Sequence, residues 1–154
     1  MPEESEVVSN WYTRQTVFDR LPGGAKLAGY LYGLDPALKA VICPVRVRTA
    51  LPDPDKVPDG DPYEETEDKV WLASITEVYG SNNNNVAEGS QFEYWKDTTN
   101  AAKIKYQGST ARDWWLRGPY PGNANGVRYV NTSGALSYRD ARYAIGFVPG
   151  LCIG

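Results

Sequence analysis

The sequence predicts an α+β domain, with short helices in the first two-thirds of the chain and a small antiparallel sheet in the last third. Three observations carry this. Helix-start signals stand upstream, at Asp35-Pro36 and Ser74-x-x-Glu77. Short alternating segments separated by turn residues follow Asp113. The size (154 residues, 17.1 kDa) and an ordinary composition (42% hydrophobic, 23% charged, net charge -3) fit one domain able to bury a core without staples.

Residues 1–8 read as an acidic arm and residues 9–154 as a single domain. Ser9 caps a helix with Trp11, Tyr12, Gln15 and Phe18 on one face, ended by Leu21-Pro22-Gly23-Gly24. Asp35 as N-cap and Pro36 at the first helical position open a second helix, which runs to Ile42 and stops before Pro44. Val45-Arg46-Val47-Arg48-Thr49 alternates apolar and basic residues, as a half-exposed strand does. Residues 50–68 read as an acidic, Pro-rich loop: eight acids against one lysine, broken by Pro52, Pro54, Pro58 and Pro62. Asp53, Asp55, Asp59 and Asp61 lack the EF-hand spacing, so solvation is preferred over calcium binding. Val70–Ala73 is a buried strand. Ser74-x-x-Glu77 is a capping box for a short helix closing at Gly80, and Ser90-x-x-Glu93 is a second such box. Ser81 to Asn85 is a polar loop, and Lys103–Tyr106 a short strand. From Asp113, the strands are Trp114–Arg117, Val127–Asn131, Ala135–Tyr138 and Gly146–Ile153, with a turn at Thr132-Ser133-Gly134.

Composition removes several function classes. The chain has no histidine, which takes away Ser-His-Asp and Cys-His catalysis and most zinc chemistry. A pI near 5.0 argues against nucleic acid. No apolar run approaches the roughly 20 residues that span a bilayer, so no membrane insertion is expected. Cys43 and Cys152 read as small buried hydrophobes, with a disulfide between them as the alternative. Glu88 and Glu93 could serve as a carboxylate pair acting on glycans, but no motif surrounds either and surface carboxylates usually solvate. The chain is therefore expected to have no catalytic residues, no metal and no cofactor. Its 11 Tyr and 5 Trp against 3 Phe suit a β core or a binding surface.

Residue usage in the last third is skewed. Residues 1–117 hold 25 Lys, Glu, Gln, Met and Trp in total, and residues 118–154 hold none where about eight would be expected at the same frequency. Strands and turns disfavour some of these types. The genetic code offers another cause. Changing only the adenines of Asn codons reaches Tyr, Ser, Arg, Asp, Thr, Ile, Ala and Gly, but never those five. Ser137-Tyr138-Arg139-Asp140, Arg142, Tyr143 and Ile145 all belong to the reachable set.

Trp114-Trp115-Leu116-Arg117-Gly118-Pro119-Tyr120, Val127 to Leu136 and Gly146-Phe147-Val148-Pro149 resemble the C-terminal signature of a bacterial and phage domain. That domain has the C-type-lectin fold of formylglycine-generating-enzyme type. Leu116-Arg117-Gly118 and Gly146-Phe147 are similar to the frame of the variable proteins of diversity-generating retroelements, to which the phage major tropism determinant belongs. Gly33 to Ile42, Asp68 to Leu72 and Glu88 to Tyr94 resemble the same domain upstream, in the same order. The resemblance implies a C-type-lectin-like fold whose region 113–154 carries variable residues. The implied ligand-binding positions are Tyr129, Ser137, Tyr138, Arg139, Asp140, Arg142, Tyr143 and Ile145. Tyr120, Asn123, Asn125, Arg128 and Asn131 are secondary positions. It implies a phage virion surface, or an extracellular bacterial surface, as the location. The implied partner is a bacterial surface protein or glycan, beside other virion proteins, and a homo-oligomer is compatible with this. The alternative is a structural virion component, a head decoration or tail protein, using the same face for assembly. The lectin fold pairs an N-terminal with a C-terminal strand, and only Val7-Val8 offers itself for that role.

Overall fold

The computed structural model describes residues 31, 34–53, 60–123 and 125–154. The acidic arm, the Ser9 helix, Val7-Val8, Asp55 and Asp59 lie outside the described residues. The class is α+β, built from short helices and small sheets. In chain order the elements begin with α1 (Pro36–Val41), β1 (Ile42–Cys43), β2 (Val45–Ala50), β3 (Tyr63–Asp68), β4 (Trp71–Leu72) and α2 (Ile75–Tyr79). Two 3-10 turns follow at Glu93–Trp95 and Asn100–Lys103. Next come β5 (Lys105–Gln107), β6 (Thr110–Arg112), β7 (Trp114–Pro119), β8 (Gly126–Val130) and β9 (Leu136–Asp140). The chain closes with β10 (Gly146–Phe147), β11 (Pro149–Gly150) and β12 (Cys152–Ile153).

The described chain gathers into two compact units. The first takes residues up to Val47, Thr66–Trp71 and Pro149–Gly154. Asp35 caps α1 as its sequence predicts: the carboxylate accepts the Ala37 N–H at 2.8 Å, and Pro36 fills the position whose N–H would have no partner. Buried Leu31, Ile42 and Val70, with Leu34, Leu38 and Leu151 packed on them, form the core of this unit. β12 pairs antiparallel with β1, so the strand next to the C-terminal one comes from Ile42–Cys43.

The second unit takes Arg48–Glu65 and Leu72–Val148. Its main sheet has four strands in the order β10-β7-β8-β9. Ala73, Ile75, Val78, Trp95, Trp114, Leu116 and Val130 form its core, where the Trp95 and Trp114 rings stack at 6.1 Å. The Trp114 indole N–H donates to the Lys103 carbonyl at 3.0 Å, which satisfies its polar edge inside the core.

A buried Arg117 ties this unit together. All five guanidinium donors are used. Nε donates to the Arg48 carbonyl at 3.0 Å, and Nη1 donates to the Leu72 carbonyl at 2.9 Å and Glu77 Oε2 at 2.6 Å. Nη2 donates to Glu77 Oε1 at 3.0 Å and the Glu88 carbonyl at 2.7 Å. Glu77 serves twice, because the predicted capping box is present: its carboxylate also accepts the Ser74 N–H while Ser74 Oγ accepts the Glu77 N–H.

Several expectations are corrected. Part of the 50–68 loop is strand β3, paired with β2. One acid faces a base there: Arg48 meets Glu65 at 3.5 Å and stacks over the Tyr63 ring at 3.9 Å. The Ser90 box does not form; the turn at Glu93 starts from Phe92 without a side-chain cap. The predicted last strand is three two-residue strands, each with a different partner, and Pro149, which has no N–H to continue a ladder, stands just after the first break. One of them, β10, runs parallel to β7, so the sheet is mixed rather than antiparallel. The Asn82–Asn85 loop is a tight turn in which Asn83 is fully buried and Asn84 and Asn85 take positive φ.

Cys43 and Cys152 are half-buried free thiols on directly opposed residues of β1 and β12. Opposed antiparallel residues have Cα atoms about 4.5–5.5 Å apart, within the span a disulfide bridges. Mild oxidation with oxidised glutathione is therefore expected to link them, read as one cross-linked peptide by mass spectrometry. Thiols that stay free under conditions that oxidise a solvent-exposed cysteine would contradict this register.

Candidate functional site

The candidate surface is built on the β8–β9 hairpin and the segment after it. Asn131 makes the hairpin turn. Its Oδ1 accepts from Ser133 N–H at 2.9 Å, Ser133 Oγ at 2.6 Å and Ala135 N–H at 3.1 Å. Gly134 is required at this turn: its φ is +78°, and a Cβ there would lie 1.8 Å from the Asn100 carbonyl oxygen. The Tyr79 hydroxyl donates to the Gly134 carbonyl at 2.7 Å, and burial pushes this phenol well above its ordinary pKa.

Beyond β9 the chain turns on main-chain bonds. The Ala141 N–H donates to the Asn125 carbonyl at 2.9 Å, Tyr143 N–H to the Asp140 carbonyl at 3.2 Å and Gly146 N–H to the Asp113 carbonyl at 3.0 Å. Asp113 adds two side-chain ties, accepting the Thr132 N–H at 3.0 Å and pairing with Arg139 at 3.3 Å.

The hairpin register sorts the candidates by face. Arg128 opposes Tyr138 and Val130 opposes Leu136 on one face; Tyr129 opposes Ser137 and Val127 opposes Arg139 on the other. On the first, the rings of Tyr138 and Tyr120 stack at 3.7 Å, and the Arg128 guanidinium lies 4.7 Å from the Tyr120 centroid. Tyr138 is 48% exposed. Burial lowers the Arg128 pKa, with Tyr120 and Glu88 acting the other way, and its Nε is buried with no hydrogen-bond partner. On the second, Arg139 stacks over Tyr129 at 5.0 Å and Tyr143 at 5.3 Å. Exposed Arg142 lies over Tyr143 at 5.5 Å and pairs with Asp140 at 3.5 Å.

Two expected positions are not free surface. Tyr129 is buried at 7% exposure, because strand alternation places it beside Trp115, whose ring meets it edge-on at 6.1 Å. Asn131 spends its carbonyl on the turn. Asn123 and Asn125 are exposed but bonded to each other through Asn123 Oδ1 at 3.0 Å. Ser137 and Ile145 are half-buried, while Arg142 and Tyr143 are exposed.

An open groove of about 870 Å³ adjoins this surface, lined by Lys105, Tyr106, Arg112, Asp113, Arg139, Ile145 and Phe147 among others. Sequence reasoning missed Lys105, Tyr106, Arg112 and Phe147, because only the β5–β6 pairing and the parallel β10–β7 contact bring them together.

Glu88 and Glu93 do not form a site together. Glu88 is fully buried, its Oε1 accepting the Ala50 N–H at 2.8 Å, and it packs at Gly118, where a Cβ would lie 2.4 Å from Asn83 Nδ2. Glu93 is at the surface beside Lys96 at 3.7 Å. Among the described residues, no group of three His, Cys, Asp or Glu is placed to hold a metal, and no helix is long and apolar enough to cross a membrane. A family profile described as "Domain of unknown function (DUF6273)" matches residues 7–154, and no curated protein and no solved structure matches the chain.

Desolvation raises the Glu88 carboxyl above its ordinary value of 4.5; the Ala50 bond, Arg117 and Asn83 oppose this. The folded chain then holds a proton that the unfolded chain has released, so this group lowers stability as pH rises from about 4.5 through the raised folded value. Glu88→Gln is expected to flatten that part of the stability–pH curve, measured by urea denaturation at several pH values. A slope unchanged from the wild type would contradict a proton retained on Glu88.

Proposed function

The chain belongs to the DUF6273 family, and from its own surface we propose that it is a ligand-binding display domain with a C-type-lectin-like scaffold. It presents a diversified Tyr/Arg face, from a phage virion or a bacterial surface, to a bacterial surface protein or glycan. The observation that carries this reading is a separation of tasks. Tyr138 on one side of the hairpin, and Arg142 and Tyr143 beside Arg139 on its other side, are exposed, while the backbone that carries them is fixed by main-chain bonds through Ala141, Tyr143 and Gly146. Side chains can change there without changing the frame. Tyr supplies rigid amphipathic area and Arg supplies planar stacking and forked hydrogen bonds, the chemistry of adaptable binding faces. The absence of Lys, Glu, Gln, Met and Trp from residues 118–154 supports adenine-directed variation.

The test is a comparison at the encoding locus between the DNA for residues 118–154 and a nearby near-copy. Differences confined to template adenines are expected, concentrated at codons 138, 142 and 143, with codon 129 varying less because its side chain is buried. No near-copy, or differences at all four bases, would overturn diversification. The exposed Leu136 and Tyr138 would then favour a fixed virion component that uses this face for assembly.

A further inference from the structure

Lys105 and Arg112 are directly opposed in the β5–β6 register. Like charges directly opposite each other across a strand pair are destabilising. Both line the groove, and Arg139, paired with Asp113, is a third cation in its lining. The acid of the groove, Asp113, is already committed to Arg139 and to the Thr132 N–H. Lys105 rests near the Tyr94 and Trp95 rings, and Arg112 makes no ion pair among the described residues. The groove is thus cationic on a chain whose net charge is -3. Two exposed aromatic residues also line it, Tyr106 at 63% and Phe147 at 42%.

We propose that this groove binds an acidic polysaccharide, with sugar carboxylates on the Lys105/Arg112 pair and a pyranose face against Phe147; Tyr106, opposed to Ala111, falls on the other face of the β5–β6 hairpin. The inference rests on the reading of the chain as a binding domain and names its ligand class. A carboxylate between the two cations removes their repulsion, and Arg112 meets it with a planar fork. The C–H face of a sugar ring packs on an aromatic face, a contact that an acidic peptide, charged on its side chains, does not require. A peptide would gain affinity by adding a strand to a sheet edge. The strands β5, β6 and β10 at the groove are two or three residues long, too short for such a ladder, and the five-residue edge strand β9 meets the groove only through Arg139.

The test is affinity electrophoresis of the full chain through gels holding polygalacturonate, alginate or hyaluronan. Fully methyl-esterified polygalacturonate and polyglutamate serve as comparison gels. Retention by at least one acidic polysaccharide is expected, with none on the methyl ester. Phe147→Ala should weaken retention about tenfold, the loss of one well-packed ligand contact. Arg112→Glu should abolish it while keeping or raising the melting temperature, since opposite charges would then face each other across the hairpin. Lys96→Gln, which removes a surface cation outside the groove, should leave retention unchanged. No retention on any acidic polysaccharide, equal retention on polyglutamate, or wild-type retention by Arg112→Glu would each overturn the assignment. If that happens while template-adenine variation is found at codons 138, 142 and 143, the groove assignment falls and the display reading stands. If neither is found, both fall.

Discussion

The fold of the second unit depends on the fit of one buried guanidinium. Arg117 spends its five donors on a bidentate carboxylate and three main-chain carbonyls, from Arg48, Leu72 and Glu88. Those carbonyls belong to segments that sequence separation would leave independent. A buried ion pair adds little net stability over a well-packed apolar group, but removing one partner leaves a costly uncompensated charge. Its effect is positional, bringing β2, the end of β4 and the Glu88 loop to the strand that carries it. The helix cap feeds the same junction, because Glu77 orients Arg117 and holds Ser74 at once.

That junction lies within β7, and β7 is the inner neighbour of the hairpin that presents the surface residues. Trp114 and Leu116 point into the core, whereas Trp115, itself buried, shares the opposite face of the sheet with its partner Tyr129 and meets that ring edge-on. The core fixes β7, β7 fixes β8, and β9 follows through its register. The turns at either end rely on Asn131, Gly134 and Asp113, whose bonds ask little of the exposed side chains nearby.

Much of this was legible locally. Asp35-Pro36, Ser74-x-x-Glu77 and Gly80 mark helix ends through bonds spanning a few residues, so sequence spacing is enough to find them. Asn131 to Gly134 announced its turn for the same reason. What depended on distant partners was not legible. The acidic strand β3 read as loop because its pairing partner β2, with the Arg48 that meets Glu65, lies outside its own neighbourhood. Glu88 read as a surface carboxylate because nothing in its neighbourhood shows the Ala50 N–H that holds it. The last apolar run read as one strand because its change of partners is set by β7, β4 and β1. Of the candidate surface implied by the family resemblance, Tyr138, Arg142 and Tyr143 are exposed. Tyr129 was misplaced by the lack of a register, and the groove cations were missed for the same reason.

The central claim is that the framework is fixed independently of the face it presents. Its most direct test is the melting of two sets of proteins, one with Tyr138, Arg142 and Tyr143 randomised together and one carrying Arg117→Met. Each surface change should cost no more than about 0.5 kcal/mol. Arg117→Met should cost about 3–5 kcal/mol, a large part of the 5–15 kcal/mol typical of a domain. Randomised proteins that lose as much stability as Arg117→Met, or an Arg117→Met protein that melts like the wild type, would contradict the account.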